Sequence, residues 1–145
     1  MKPLRYLLVE DQPADQFYTK VLIDNHQPDS SLTIAEDGEQ ALDILEQQST
    51  DPEGGTPGPD VILLDINMPR MDGFEFLEEF TSRVEQGELR QRPVIIMLTS
   101  SDDISDRTRA SGFDCVKGYL TKPIDLQRLD GTLSAIAAAR DDDAS

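Results

Sequence analysis

The sequence predicts a doubly wound α/β fold, one five-stranded parallel sheet with helices on both faces. Three observations predict it. Strand-like runs alternate with amphipathic stretches in the order βαβαβαβαβα, the pattern that builds such sheets. The first, third and fourth runs are almost wholly apolar, as strands covered on both faces are. Polar residues follow the runs: Glu10 and Asp11 after the first, Asp65 after the third, Thr99 after the fourth and Lys122 after the fifth. In open α/β sheets that edge holds the ligand site. A chain of 145 residues suits one domain, expected over 1–140, with an acidic tail at 141–145 expected to be disordered.

Each element has its own signal. The strand at 5–9 leads into Asp11-Gln12-Pro13, and proline fits the first position of a helix; Phe17, Val21 and Leu22 would share its apolar face. The strand at 31–35 is short and mixed, which suits an edge. Asp37-Gly38-Glu39-Gln40 resembles a capping box, and Ala41, Leu42 and Leu45 follow at helical spacing. The stretch 48–59 is dense in Gly and Pro and reads as a surface loop. A strand at 60–64 precedes a helix marked by Phe74, Leu77, Phe80 and Val84, then a short polar connection at 87–92. After the strand at 93–98, Ser100-Ser101-Asp102-Asp103 reads as a helix start, where the dipole favours acids. The strand at 117–120 is followed by a last helix with Leu126, Leu129, Leu133 and Ile136.

Charge narrows the function. The chain has 29 acidic and 13 basic residues, a net charge of −16. That argues against binding a nucleic-acid backbone or an anionic membrane. No apolar run is long enough to span a bilayer, and the N-terminus has no signal-peptide pattern. With Cys115 as the lone cysteine no internal disulfide forms; the chain reads as cytoplasmic and Cys115 as an inert packed thiol. His26 reads as an exposed residue without a chemical role.

Asp65 is the most telling residue. It closes the run Val61-Ile62-Leu63-Leu64, and burying a lone carboxylate is costly without a cation or hydrogen bonds. Glu10, Asp11 and Asp65 together would form a socket for a hard divalent cation, which takes oxygen ligands.

The segments Leu7-Leu8-Val9-Glu10-Asp11, Leu64-Asp65-Ile66-Asn67-Met68-Pro69-Arg70-Met71-Asp72-Gly73, Met97-Leu98-Thr99-Ser100-Ser101 and Gly118-Tyr119-Leu120-Thr121-Lys122-Pro123 occur in order, each closing an apolar strand. Together they resemble the receiver domain of two-component response regulators, over nearly the whole chain. The resemblance implies a flavodoxin-like receiver fold and a phosphoacceptor role for Asp65, with a sensor histidine kinase or a histidine phosphotransfer protein as donor. It implies Mg²⁺ held by Glu10, Asp11, Asp65 and the backbone carbonyl of Asn67. Lys122 would neutralise charge on the phosphoryl group, Thr99 would hydrogen-bond it, and Tyr119 would turn inward as the switch aromatic. The bond before Pro123 would be cis. Two departures stand out: Glu10 replaces the commoner Asp, and the connection 112–118 is longer than usual, as in many stand-alone receivers. No DNA-binding or enzymatic domain is expected after the last helix. The chain would be a signalling switch, catalysing only its own phosphorylation and dephosphorylation, and the effector and oligomeric state stay open.

Other classes are weighed on residues. A haloacid-dehalogenase-type phosphatase also uses an aspartate nucleophile, but after the first strand and with a second Asp two residues on; here Asp65 follows the third and position 67 is Asn. A flavin-binding domain needs a phosphate-cradling loop after strand one, where this chain has Glu10-Asp11-Gln12-Pro13-Ala14-Asp15. A silent scaffold receiver would not need the complete set of side chains. Within the receiver reading, a terminal switch and a phosphorelay intermediate remain as alternatives.

Overall fold

Strands β1 (Arg5–Val9), β2 (Ser31–Ala35), β3 (Val61–Asp65), β4 (Val94–Thr99) and β5 (Val116–Thr121) form one sheet in the order β2-β1-β3-β4-β5. Every pairing is parallel. The computed structural model describes residues 4–49, 58–68, 70–89, 93–100, 104–125 and 127–135. Expectations for most of the 48–59 loop, for 90–92, for the helix start at 101–103, for Leu126, Ile136, the His26 side chain and the tail lie outside the described residues. The expected strands are all present, with β2 at an edge. The third and fourth run one residue further than the apolar pattern suggested. The Ile66 N–H continues the ladder by donating to the Leu98 carbonyl at 3.0 Å. Asp65 and Thr99 are therefore the last residues of their strands, held by backbone pairing.

The helices are α1 (Pro13–His26), α2 (Gly38–Ser49), α3 (Gly73–Glu85), α4 (Ile104–Ser111) and a fifth, α5, at 127–135. Two hydrophobic clusters lie on opposite faces of the sheet. Leu7, Val9, Ile62, Leu64, Ile95 and Met97 pack with side chains of α2, α3 and α4. Tyr6, Leu8, Leu63, Ile96 and Leu98 pack with Ile23 of α1 and Leu129 of α5. The alternation along each strand assigns neighbours to opposite clusters.

Caps fix where the helices begin. Pro13 opens α1, with Gln12 as its N-cap residue. Asp37 caps α2 by accepting from the Gln40 N–H at 2.9 Å, while the Gln40 side chain accepts from the Glu36 N–H at 3.0 Å. The reciprocal bond of the expected capping box thus falls one residue early. Asp72 and Glu75 make a complete capping box on α3.

The expected apolar face of α1 is incorrect. Phe17 is 70% exposed and Val21 is exposed as well, while Thr19 and Ile23 are buried and Leu22 half-buried. The helix turns Gln16 toward the end of β1, where its Nε2 donates to the Glu10 carbonyl at 2.7 Å. The buried line of the helix runs through Thr19 and Ile23, with Phe17 outside it. In the connection 112–118, Phe113 and Cys115 pack against the first cluster. This connection and the end of α3 line a cavity of about 580 Å³. Burial pushes the Cys115 thiol pKa upward, consistent with an unreactive, packed cysteine.

Buried Tyr6 donates from its hydroxyl to Gln27 Oε1 at 2.8 Å. Burial pushes its phenol from 10.0 up to about 12. In the unfolded chain it titrates near 10. Its contribution to stability is therefore complete below about pH 10 and is lost as pH rises through 10 toward 12. Tyr6→Phe is expected to flatten the alkaline fall of the urea midpoint across that window. An unchanged slope would refute the assignment.

Candidate acidic site at the strand ends

Glu10, Asp11, Asp65, Thr99 and Lys122 all lie at the C-terminal edge of the sheet, because the strands that carry them are parallel and in register. Glu10 is 1% exposed. Its backbone N–H donates to the Ala35 carbonyl at 2.9 Å, and its Oε2 accepts from the Gln12 N–H at 3.2 Å. Asp65 is 4% exposed, and its Oδ1 accepts from the Asn67 N–H at 3.2 Å. Glu10, Asp11 and Asp65 each offer an oxygen within 4.8 Å of the others.

Lys122 meets these acids from the far side. Its backbone N–H donates to the Thr99 carbonyl at 2.7 Å, and its bond to Pro123 is cis. Its Nζ contacts Glu10 Oε1, Asp15 Oδ2 at 3.1 Å and Asp65 Oδ2 at 3.3 Å. Burial alone would lower the lysine pKa, but Glu10 and Asp65, joined by Asp15, outweigh it and raise it. The ammonium is therefore fully charged at neutral pH. Burial pushes the Glu10 carboxyl up to about 7; Lys122 opposes the shift and Asp65 adds to it.

The donor set fits a small hard cation. Asp11 Oδ1 is buried with no hydrogen-bond partner among the described residues, while Oδ2 accepts from Gln12 Nε2 at 3.2 Å. A buried oxygen without a partner is costly, and a cation beside Glu10 and Asp65 would satisfy it. Carboxylates with room for water suit Mg²⁺.

Thr99 is fully buried at the end of β4. Tyr119 pairs with Met97 in the ladder and Thr121 with Thr99. Strand alternation therefore places Tyr119 and Thr99 on the same face of the sheet. Tyr119 is half-buried, and the Arg107 guanidinium lies 5.0 Å from its ring centre.

Three contributors were missed from sequence. Asp15 reaches Lys122 across 107 residues, a pairing without local signal. Gln16 steadies Glu10. Asp37 is buried not only as a cap: its Oδ2 pairs with Arg70 at 3.1 Å, which ties the β3–α3 loop to the start of α2. Arg70 has φ 66°. Gly73 is legible only in three dimensions: a Cβ there would sit 2.6 Å from the Asp65 carbonyl oxygen.

Comparison with known proteins agrees with this geometry. A family model described as the response regulator receiver domain matches residues 6–134. Response regulator Rcp1 of Synechocystis sp. is 35% identical over 127 residues, covering 88% of this chain and 82% of Rcp1. Protein PilH of Pseudomonas aeruginosa is 29% identical over 136 residues, covering 92% and 98%. Among solved structures, the Mn²⁺-bound form of Rcp1 superposes with a TM-score of 0.66 at 32% identity, covering 92% of this chain and 91% of that one. The strand order, the acidic edge with its lysine and the match along nearly the whole sequence place this chain in the response regulator receiver domain family.

Proposed function

We propose that this protein is a phosphorylation-driven switch in which Asp65 accepts a phosphoryl group from a sensor histidine kinase or a histidine phosphotransfer protein. The observation that carries the proposal is the convergence of Lys122 and the three-acid socket on one buried carboxylate. An Asp65 oxygen attacks phosphorus, the P–N bond of the phosphohistidine breaks, and its electron pair leaves on the imidazole nitrogen. The product is an acyl phosphate, a known fate of nucleophilic carboxylates. Held by Glu10, Asp11, Asp65 and the Asn67 carbonyl, Mg²⁺ would neutralise charge on the transferring group. Lys122 exchanges its contact with Asp65 Oδ2 for a phosphoryl oxygen. Thr99 then donates its hydroxyl to another oxygen, and Tyr119, on the same face, follows inward. The surface reshaped is that of α4, β5 and α5.

Residues 1–140 would act as one receiver domain in the cytoplasm, catalysing only their own phosphorylation and dephosphorylation. Phe17, Tyr18 and Val21 stand exposed on the helix that walls the site, an apolar seat suited to the donor. The protein would act as a terminal switch toward an effector protein, with a relay passing phosphate to a phosphotransfer protein as the alternative. Incubation with Mg²⁺ and acetyl phosphate is expected to add a single acid-labile group of about 80 Da, one phosphoryl, to wild type and none to Asp65→Asn. Equal labelling of the variant would reject Asp65 as acceptor.

A further inference from the structure

The Lys122 ammonium has three N–H donors and finds three carboxylates, those of Glu10, Asp15 and Asp65. In the phosphorylation reading, on which this inference rests, two of them are committed elsewhere during reaction. Glu10 belongs to the cation socket, and Asp65 is the nucleophile. Asp15 is neither: it stands in the first turn of α1, 44% exposed, outside the socket. Three residues on, the Tyr18 hydroxyl donates to the Ile124 carbonyl at 2.8 Å. Residues three apart share a helix face. One face of α1 therefore grips the segment after β5 on both sides of Pro123, by the Lys122 ammonium and by the Ile124 backbone.

We propose that Asp15 is a positioning residue for the phosphoryl-transfer site: it anchors the Lys122 ammonium beside Asp65 when Glu10 and Asp65 turn to the cation and the phosphoryl group. A lysine is a point charge on a flexible four-carbon stem. Without an anchor its ammonium spreads over positions that miss the transferring oxygens, and small misplacements at such centres slow reaction steeply.

The sign of the effect separates this role from simple electrostatics. Removing a carboxylate near the site eases the approach of an anionic donor, which by itself would speed labelling. Loss of the anchor does the reverse. Asp15→Ala is expected to lower the saturated rate of Asp65 labelling by acetyl phosphate about tenfold, with KM for the donor changed far less. Asp15→Glu should recover most of the rate. In a Lys122→Ala background, Asp15→Ala should add nothing. A variant as fast as wild type, or an equal loss in both backgrounds, overturns the proposal. A readout without phosphoryl chemistry separates it from the reading it rests on. In the Mg²⁺-loaded protein, where the cation draws on Glu10 and Asp65, the ¹⁵N-ammonium resonance of Lys122 should be protected from exchange with water in wild type and lose that protection in Asp15→Ala. Unchanged protection overturns the anchor, whereas failure of wild type to take up phosphate overturns the phosphorylation reading alone.

Discussion

A Lys122→Met variant, free of metal, is expected to be less stable than wild type by about 3 kcal/mol, the cost of removing one partner from a buried ion pair. Glu10, Asp15 and Asp65 would then face one another without a cation, and Glu10 and Asp65 are almost fully buried. Methionine keeps the length and the apolar stem, so the loss reports charge rather than packing. Urea unfolding measures it. Millimolar Mg²⁺ should recover part of the loss, because a cation among Glu10, Asp11 and Asp65 replaces the missing charge. Replacing Glu10 with Gln in the same variant should recover stability without metal. A variant as stable as wild type in metal-free buffer would mean that Lys122 does not hold the acids together.

Gly73→Ala should cost about 2 kcal/mol and abolish labelling of Asp65. The added Cβ would lie 2.6 Å from the Asp65 carbonyl oxygen and 3.0 Å from the Ile66 Cα. Both obstacles are backbone at the end of a central strand, and neither can rotate away. Overpacking of this kind costs typically ~1–3 kcal/mol, against up to ~1 kcal/mol gained by replacing glycine in a helix. The strand end must shift, and Asp65 shifts with it. Gly118→Ala is the control: its Cβ would meet the Thr132 Cγ2 at 2.6 Å, a side-chain methyl that can rotate away. Labelling should survive there. Normal labelling of Gly73→Ala would show that the site tolerates displacement of Asp65, its proposed nucleophile.

The sheet was legible because its strands are apolar runs whose period leaves little choice. Val61–Leu64 and Val94–Leu98 are buried throughout, so the pattern alone identified them. The core of the site was legible for a related reason: an acid, a hydroxyl or a lysine closing such a run stands out. What escaped were pairings across the chain. Asp15 reads as an ordinary acid near a helix start, and Asp37 as an ordinary cap. Their partners Lys122 and Arg70 arrive from distant loops. The apolar side chains of α1 misled because periodicity reports which residues could pack, whereas the helix buries Thr19 and Ile23 and leaves Phe17 and Val21 exposed. Leu89, buried beyond the end of α3, had no repeating neighbours to reveal it.

Lys122 reaches Glu10 across a sequence separation of 112, and this spacing has a consequence for biosynthesis. During translation the acids at the C-terminal ends of β1 and β3 leave the ribosome long before the lysine that reconciles them. A nascent or truncated chain without β5 carries a pocket of mutually repelling carboxylates and no ammonium to receive a phosphoryl oxygen. In the proposed phosphorylation reading, competence to signal would arrive only after the last strand. Half-made copies would then be mute toward a phosphate donor.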